Sequence, residues 1–309
     1  MVAWEKLGHL FVPSGDDWWA RSHASTPTVA WNADGTARVY FSSRDEAGRS
    51  HIGAVDLDPS NDFRVVNIHH QPVLSPGEIG LFDDSGVAVG SVVECDGVER
   101  LYYMGWNLRV TVPWANTIGM ATRMSSDEPF VRCGRVPALD RSEEDPFTMS
   151  YPWVLTNDDD LTMWYGTNTV WGATAEDMQH VIRRATSTDG VAWTRDATPC
   201  LDFIHDGEYA ISRPCVRRCS TGFEMFYCFR SHVDPVTYRI GWAFSADGLQ
   251  WQRDDGIGIE PTPGEWDGEM TCYPCVFEWD GEIWMLYNGN GYGRTGFGLA
   301  RRTSAVLDQ

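Results

Sequence analysis

The pentapeptide Ser150-Tyr151-Pro152-Trp153-Val154 is one of five related extended segments, each centred on a proline or, once, on a glycine. The central residues stand at positions 27, 90, 152, 214 and 274, so the spacings are 63, 62, 62 and 60 residues. A second marker, an aromatic residue near the end of a strand-like run, recurs with the same period. Its five members are Phe41, Tyr103, Tyr165, Tyr227 and Tyr287. Two markers with one period indicate an internal repeat.

Each repeat reads as four short β-strands. Turn signals such as Asp96-Gly97 and Asp280-Gly281 separate the first extended segment from the aromatic run, as in a β-hairpin. A third strand follows, for example at Ile240-Gly241-Trp242-Ala243, and the turn Ser245-Ala246-Asp247-Gly248 leads to a fourth strand that starts at Trp251. Four antiparallel strands repeated five times predict an all-β, five-bladed β-propeller.

The two ends of the chain are expected to share one blade. The fifth repeat stops soon after its third strand, whereas the segment from Trp4 to Phe11 resembles the fourth-strand segments of other repeats. We therefore expect the N-terminal strand to complete the last blade and to cover its edge. The chain is predicted to be a single domain of residues 1–309. Its blades span approximately 14–75, 76–140, 141–202, 203–262 and, joined by residues 1–13, 263–309.

Composition excludes several classes of partner. Acidic residues outnumber Lys and Arg by 44 to 24, and the formal charge of −20 disfavours nucleic acid or an anionic membrane. No apolar run is long enough to cross a membrane, and Met1 to Pro13 lacks the pattern of a secretory signal. We therefore predict a cytoplasmic protein with eight reduced cysteines, present as a monomer or a small homo-oligomer. No motif indicates a metal or another cofactor.

The repeat also predicts where a functional site lies. If the first strand of each blade lines the axis, the residues before it and those after the second strand gather on one face. The side chains at these positions are carboxylates, amides, arginines, histidines and aromatic rings, which together suit a carbohydrate substrate. The predicted substrate-binding residues are His23, Arg44, Asp83, Trp106, Asn107, Asp145, Asn168, Arg213, Arg230, His232, Asp267, Tyr273, Asn288 and Asn290.

The five repeats, the Ser-x-Asp-Gly-x-x-Trp turns and the N-terminal closing strand resemble the five-bladed glycosidase superfamily of arabinanases, levansucrases and invertases. The chain is further similar to uncharacterised bacterial propellers labelled as glycosyl hydrolases and associated with polysaccharide genes. The resemblance implies a glycoside hydrolase or transglycosidase that acts on a small glycoside or glycan end in an axial pocket. The stretches that carry it are Phe82-Asp83-Asp84-Ser85-Gly86, Tyr103-Met104-Gly105-Trp106-Asn107, Tyr238-Arg239-Ile240-Gly241 and Asn288-Gly289-Asn290-Gly291-Tyr292-Gly293.

The catalytic carboxylates of the arabinanase and invertase branches lie at, or one or two residues before, the centre of the inner strand. This chain has no acid in those slots, so the catalytic residues do not transfer position for position. Glycoside hydrolysis needs a protonated acid and a second carboxylate as nucleophile or base. Among the acids slightly further upstream, we expect Glu208 and Glu269 to be the working pair and Asp84 to tune or position them.

Other functions stay open at this stage. The missing acids favour a carbohydrate-binding propeller without chemistry, or one that performs other acid/base work, such as a cyclase or isomerase of a biosynthetic pathway. Arg44, Arg213 and Arg230 favour a negatively charged sugar. The alternative is a compositional habit, because Lys6 is the only lysine. His23 fits a proton shuttle, a hydroxyl ligand or a structural residue.

Overall fold

The computed structural model describes residues 4–126, 128–157, 160–172 and 177–303. Within these ranges it contains twenty β-strands, one short α-helix, α1 (Asn290–Gly293), and two 3-10 helices at Pro59–Asn61 and Asp255–Ile257. The strands, in chain order, are β1 (Trp4–Phe11), β2 (Ser22–Trp31), β3 (Ala37–Arg44), β4 (Ser50–Asp58), β5 (Arg64–Ile68), β6 (Gly86–Cys95), β7 (Val98–Leu108), β8 (Trp114–Arg123), β9 (Val131–Arg132), β10 (Met149–Thr156), β11 (Leu161–Val170), β12 (Gln179–Ser187), β13 (Thr194–Arg195), β14 (Glu208–Cys219), β15 (Gly222–Ser231), β16 (Arg239–Ser245), β17 (Gln252–Arg253), β18 (Cys272–Trp279), β19 (Glu282–Asn288) and β20 (Phe297–Arg302).

The strands pair antiparallel in groups of four. We call β2–β5 unit 1, β6–β9 unit 2, β10–β13 unit 3 and β14–β17 unit 4; in each of them every strand pairs with the next. Unit 5 consists of β18, β19, β20 and β1, because the N-terminal strand pairs antiparallel with β20 and places Glu5 opposite Arg301. The all-β class predicted from the repeat is confirmed.

Two of the predicted hairpin turns show why Asp-Gly recurs in the sequence. In the turn between β6 and β7, Asp96 has a φ of 54° and Gly97 a φ of 73°. In the turn between β18 and β19, Asp280 and Gly281 have φ values of 51° and 74°. Two successive positive φ angles belong to the type I′ turn, whose twist matches that of the flanking strands. Aspartate and glycine tolerate this conformation better than most residues.

The first strands of the five units are joined by hydrogen bonds between a side chain and the neighbouring backbone. In each case the side chain is that of the residue after the central proline or glycine. For example, Ser91 Oγ accepts a hydrogen bond from Val154 N at 3.0 Å. The other four bonds are Thr28 Oγ1 to Gly90 O (3.0 Å), Trp153 Nε1 to Val216 O (2.8 Å), Val276 N to Cys215 Sγ (3.1 Å) and Val29 N to Cys275 Sγ (3.4 Å). The last of them joins unit 5 to unit 1, so the series returns to its start.

The structure also shows the state of the cysteines and the burial of the aromatic side chains. All eight cysteines are unpaired, and Cys215, Cys228, Cys272 and Cys275 are buried. Trp19, Trp164 and many other aromatic side chains are buried as well, which accounts for the high aromatic content. Among the residues that the structure describes, no helix is long and apolar enough to cross a membrane.

Candidate functional site

Units 2 to 5 each hold a buried carboxylate at or shortly before the first strand. In unit 2, Asp83 accepts hydrogen bonds from Arg132 Nε on the fourth strand at 2.8 Å and from Tyr103 Oη on the second strand at 3.0 Å. We call this acid–cation arrangement a clasp, because it ties the segment before the first strand to the fourth strand. The equivalent clasps are Asp145 with Arg195 and Tyr165 in unit 3, Glu208 with Arg253 in unit 4, and Asp267 with Lys6 and Tyr287 in unit 5.

The side chain of Glu208, like those of Asp83 and Asp145, has no exposed surface. Arg253 donates from Nη2 to Oε1 at 2.9 Å and from Nη1 to Oε2 at 3.1 Å. The backbone N–H groups of Ile204 and His205 also donate to Oε2, at 2.8 and 3.2 Å. Both oxygens are thus occupied by the protein, which leaves no face for a substrate. This geometry gives no support to Glu208 as half of a catalytic pair.

The other two predicted catalytic residues differ from each other in exposure. Asp84 is half-buried, and its oxygens accept from Gly80 N and Ser85 Oγ, both at 2.9 Å, within its own loop. Glu269 has an exposed side chain. Its backbone N–H donates to Asn290 Oδ1 at 2.8 Å, and its carbonyl accepts from Thr237 Oγ1 at 2.7 Å. These two contacts place Glu269 beside the segments that carry Tyr292 and Tyr238.

A cavity of about 600 Å³ opens between parts of units 2 to 5. Four of the predicted substrate-binding residues line it, namely Asn168, Arg230, His232 and Tyr273. The lining contains no Asp or Glu among the residues described. Its other members are Trp114, Asn116, Ser150, Tyr151, Met178, His180, Tyr209, Ser231, Val236, Tyr238 and Tyr292.

Arg230 lies in this cavity, enclosed by tyrosine rings. Its Cζ atom is 5.0 Å from the ring centre of Tyr209 and 4.7 Å from that of Tyr238, within the range of cation–π attraction. Its Nη1 donates to Tyr292 Oη at 3.1 Å, whereas its Nε is buried without a hydrogen-bond partner. The guanidinium group is therefore held by neutral aromatic groups.

The remaining polar groups of the cavity are mostly neutral. His180 donates from Nδ1 to the Ile211 carbonyl at 3.1 Å, and its Nε2 lies 2.9 Å from Ser150 Oγ. Burial, together with the positive charge of Arg230, lowers the pKa of His180 to about 4, so its imidazole is neutral at pH 7. The Oη atoms of Tyr151 and Tyr273 are 3.2 Å apart, and burial raises the pKa of both phenols. These phenols stay protonated and can donate hydrogen bonds.

His232 forms the rim of the cavity. Its side chain is exposed, and its ring stacks on Tyr209 with 4.1 Å between the ring centres and an angle of 11° between the planes. A stacked pair of this kind forms a flat surface beside Arg230. Such a surface suits the C–H face of a sugar ring.

Arg213 lies outside this cavity, where the first strands meet. It is fully buried, and it donates from Nη1 to Gly90 O at 3.0 Å and from Nη2 to Thr28 Oγ1 at 2.9 Å. Its Cζ atom is 5.6 Å from the ring centre of Trp153. Arg213 thus links first strands of several units, and the predicted role as a sugar ligand has no geometric support.

The other predicted binding residues also lie elsewhere. Asp83, Asp145 and Asp267 belong to the clasps. Asn288 is buried, accepts from Thr26 N at 2.8 Å and donates to Ala24 O at 2.7 Å, so it joins unit 5 to unit 1. The remaining five are His23 (buried, Nδ1 2.8 Å from Ser22 Oγ), Arg44 (exposed at the end of β3), Trp106 (donating to Ser50 Oγ at 2.7 Å), Asn107 (donating to Leu81 O at 3.1 Å) and Asn290 (beside Glu269).

Most of the tyrosines that line the cavity were not among the predicted site residues, although the sequence contains one signal for two of them. Tyr151 and Tyr273 both stand immediately before the central proline of an inner strand, with φ values of 49° and 53°. A β-bulge occurs at each of these positions. Bulges re-aim side chains, and here the re-aimed tyrosines line the cavity. The signal was the Tyr-Pro pair itself, which only units 3 and 5 contain.

The outer strands of units 3 and 4 border a larger depression of about 830 Å³. It includes Arg195 and Arg253, the cations of two clasps, and none of the predicted site residues. In the described part of the chain, no group of three or more His, Cys, Asp or Glu side chains is placed to hold a metal ion. The cavity around Arg230 therefore combines the predicted binding residues best.

Two relatives with similar sequences come from Mycobacterium tuberculosis. The uncharacterized protein MT1551 of strain CDC 1551 / Oshkosh is 45% identical over 302 residues, which cover 97% of this chain and 99% of the relative. The uncharacterized protein Rv1502 of strain ATCC 25618 / H37Rv is 44% identical over 302 residues, with the same coverage. No established family profile matches the chain.

Several solved structures with a similar fold are described as glycoside hydrolases. A glycoside hydrolase superposes with a TM-score of 0.76 at 17% identity, over 98% of this chain and 92% of the other. A glycosyl hydrolase from Bacteroides ovatus has a TM-score of 0.76 at 14% identity, over 97% and 93%. A member of the GH130 family, described as mannoside phosphorylases and hydrolases of β-1,2-mannosidic linkages in Candida mannan, has a TM-score of 0.73 at 15% identity, over 100% and 96%. The fold is that of the propeller glycosidases, which confirms the resemblance.

Proposed function

The chain belongs to the same protein family as MT1551 and Rv1502, and we propose that it is a glycosidase-type enzyme that binds a glycan end in the cavity around Arg230. The proposal rests on five tyrosine rings that share one cavity with amide and hydroxyl groups. Aromatic faces can cover the C–H side of a sugar ring, while Asn168 and Ser150 can bond to its hydroxyl groups.

The same proposal assigns the five units to five blades of a single propeller domain of residues 1–309. Its support is the series of hydrogen bonds between first strands, which joins every unit to the next and unit 5 back to unit 1. In this arrangement the cavity lies at one end of the central axis. Side chains from several blades then converge on one substrate.

We assign the proton-transfer role to Glu269. Cleavage of a glycosidic bond needs a group that protonates the leaving oxygen. Of the acids predicted to be catalytic, only Glu269 has an exposed carboxylate, and its backbone is bonded to the segments that carry Tyr238 and Tyr292. In this proposal the Glu269 side chain acts from the edge of a sugar bound against these rings.

The experiment is a screen of released sugars on a panel of aryl glycosides and oligosaccharides, with wild-type protein and two variants. Glu269→Gln should lower turnover of the best substrate by at least about a hundredfold, the usual effect of losing a general acid. Glu265→Gln is the matched control, since Glu265 is also exposed and lies in the same loop. Full activity of Glu269→Gln would exclude Glu269 from catalysis.

A carbohydrate-binding protein without bond cleavage is the second candidate. It is favoured by the lack of a carboxylate among the described residues that line the cavity. In that case wild-type protein binds sugars in a calorimeter but releases no product from any of them. The cytoplasmic location and the state as a monomer or small homo-oligomer stay predictions.

A further inference from the structure

We propose that the sugar bound in this cavity carries a carboxylate and that Arg230 is the partner of this carboxylate. The inference rests on the proposed function, because it takes the cavity to be a glycan site. It goes beyond that function by naming a uronic acid as the substrate class.

In the part of the chain that the structure describes, Arg230 lacks the acidic partner that many other arginines have. Twelve described arginines form ion pairs with Asp or Glu side chains, as expected in a chain with 44 acidic residues. Arg230 is among the other eleven arginines, which form no such pair in the described ranges, and it is the one of these that lines the cavity. The twelve paired arginines are Arg38, Arg49, Arg123, Arg132, Arg135, Arg183, Arg184, Arg195, Arg217, Arg253, Arg301 and Arg302.

Arg230 is also held in place before any ligand binds. Tyr209 and Tyr238 lie within 5.0 Å of its Cζ atom, and Tyr292 Oη accepts its hydrogen bond. Arg230 is half-buried and has no counter-charge from the described part of the protein, so the carboxylate of a ligand would supply one. A fixed guanidinium also loses little conformational entropy when it binds a planar carboxylate.

No other side chain in the described lining of the cavity is an acid that could form an ion pair with Arg230. His180 is neutral because its pKa is lowered to about 4, and the phenols of Tyr151, Tyr238 and Tyr273 are protonated because burial raises their pKa values. The described lining holds no carboxylate that would repel an anion.

The number of cations favours a carboxylate over a phosphate. A phosphate group is usually held by several cations, by a row of backbone N–H groups or by a helix N-terminus. In the described lining, Arg230 is the only arginine and there is no lysine. One guanidinium matches the single charge and planar shape of a carboxylate.

Titration calorimetry with paired sugars tests this proposal. The probes are methyl glycosides of gluco, galacto and manno configuration, each as the neutral hexoside and as the matching uronoside, together with glucose 6-phosphate and glucuronate. We expect the uronoside of at least one pair to bind about ten to a hundred times more tightly than its neutral partner. Arg230→Gln should remove this preference, so that the ratio of the two affinities falls to about one.

Two further variants separate charge from structure. Arg230→Lys keeps the charge without the planar group and should retain only part of the preference. Arg239→Gln is the matched control, because Arg239 bonds to Thr237 Oγ1 and the Glu269 carbonyl and does not line the cavity. Its preference for the uronoside should equal that of wild type.

The outcomes distinguish this inference from the proposed function. Equal binding of uronosides and neutral hexosides by wild-type protein overturns the inference and leaves the glycan site in place; this comparison needs no variant to fold. Tighter binding of glucose 6-phosphate than of glucuronate overturns the assignment to a carboxylate. Binding of none of the sugars overturns the proposed function and the inference with it.

Discussion

Arg253 holds both carboxylate oxygens of Glu208, with Nη2–Oε1 and Nη1–Oε2 distances of 2.9 and 3.1 Å, and at most 4% of either side chain is exposed. The pair joins the first strand of unit 4 to its fourth strand. Equivalent clasps in units 2, 3 and 5 make the same connection. The acids that precede the first strands of units 2 to 5 therefore tie each of these units together.

The first prediction concerns the free energy of unfolding of Glu208→Gln. Removing one charge of a buried ion pair leaves the other without full compensation, so the variant should lose about 3 kcal/mol. Urea denaturation measures this loss. Glu278→Gln is the control, since Glu278 is 60% exposed in its pair with Arg217 and should cost less than about 1 kcal/mol. Glycoside turnover per folded molecule should be unchanged in Glu208→Gln; a large loss of turnover at normal stability would contradict the clasp role.

A second prediction tests the strand that joins the two ends of the chain. Lys6 on β1 binds the buried Asp267 at 2.6 Å, so Lys6→Met should destabilise the protein by about 2 to 4 kcal/mol. Glu5→Gln lies on the same strand, and Glu5 forms an exposed pair with Arg301. This control should unfold at nearly the wild-type urea concentration. Equal stability of both variants would show that the clasp of unit 5 contributes little.

The third prediction concerns the bonds between first strands. Ser91→Ala removes the acceptor of the Val154 N–H and leaves a buried donor unpaired, which should cost about 1 to 3 kcal/mol. Ser91→Cys should recover part of this loss, because Cys215 and Cys275 perform the same task in other units. Denaturation gives the totals, and hydrogen exchange of the Val154 amide reports the local effect. Unchanged exchange in Ser91→Ala would refute the role of this bond.

The fourth prediction is a dependence of stability on pH. The pKa of His180 is about 4 in the folded protein and about 6.5 when unfolded, so between these values the unfolded state binds more protons. The contribution of His180 to the free energy of unfolding should therefore be complete above pH 6.5. It should fall by about 2 to 3 kcal/mol as the pH drops to 4. His180→Gln should show a flatter profile over this range. Parallel profiles for wild type and His180→Gln would contradict this assignment.

The all-β class and the strand order were predictable because they depend on features that every repeat shares. Hairpins such as that at Asp96-Gly97 are encoded locally by residues that tolerate positive φ. The N-terminal strand was predictable as well, since it resembles the fourth strands and pairs with β20 as they pair with the third. These are short-range or periodic signals, which a single sequence displays directly.

The candidate site was less predictable, because acidic residues that recur at one position of the repeat were expected to bind or cleave the substrate. Asp83, Asp145 and Asp267 each precede the aromatic marker of their unit by 20 residues, and each bonds to that tyrosine. A group that recurs in units 2 to 5 stabilises each of these units, whereas the residues that line the cavity differ from unit to unit. Arg230 and Tyr292, which define the cavity, have no such counterparts in all units. Their approach depends on how the units pack, and sequence spacing does not contain this information.

The return of the inter-strand bonds from unit 5 to unit 1 sets a limit on how such a protein can change in size. An open array of repeats can gain or lose a terminal repeat at the cost of one interface. In the proposed five-bladed propeller, which the bond from Val29 N to Cys275 Sγ would help to close, there is no terminal interface at which a repeat could be added. If the propeller is closed in this way, a sixth repeat would have to alter the angle at every junction simultaneously. Evolution of this family is therefore expected to vary the loops between strands while the number of repeats stays fixed.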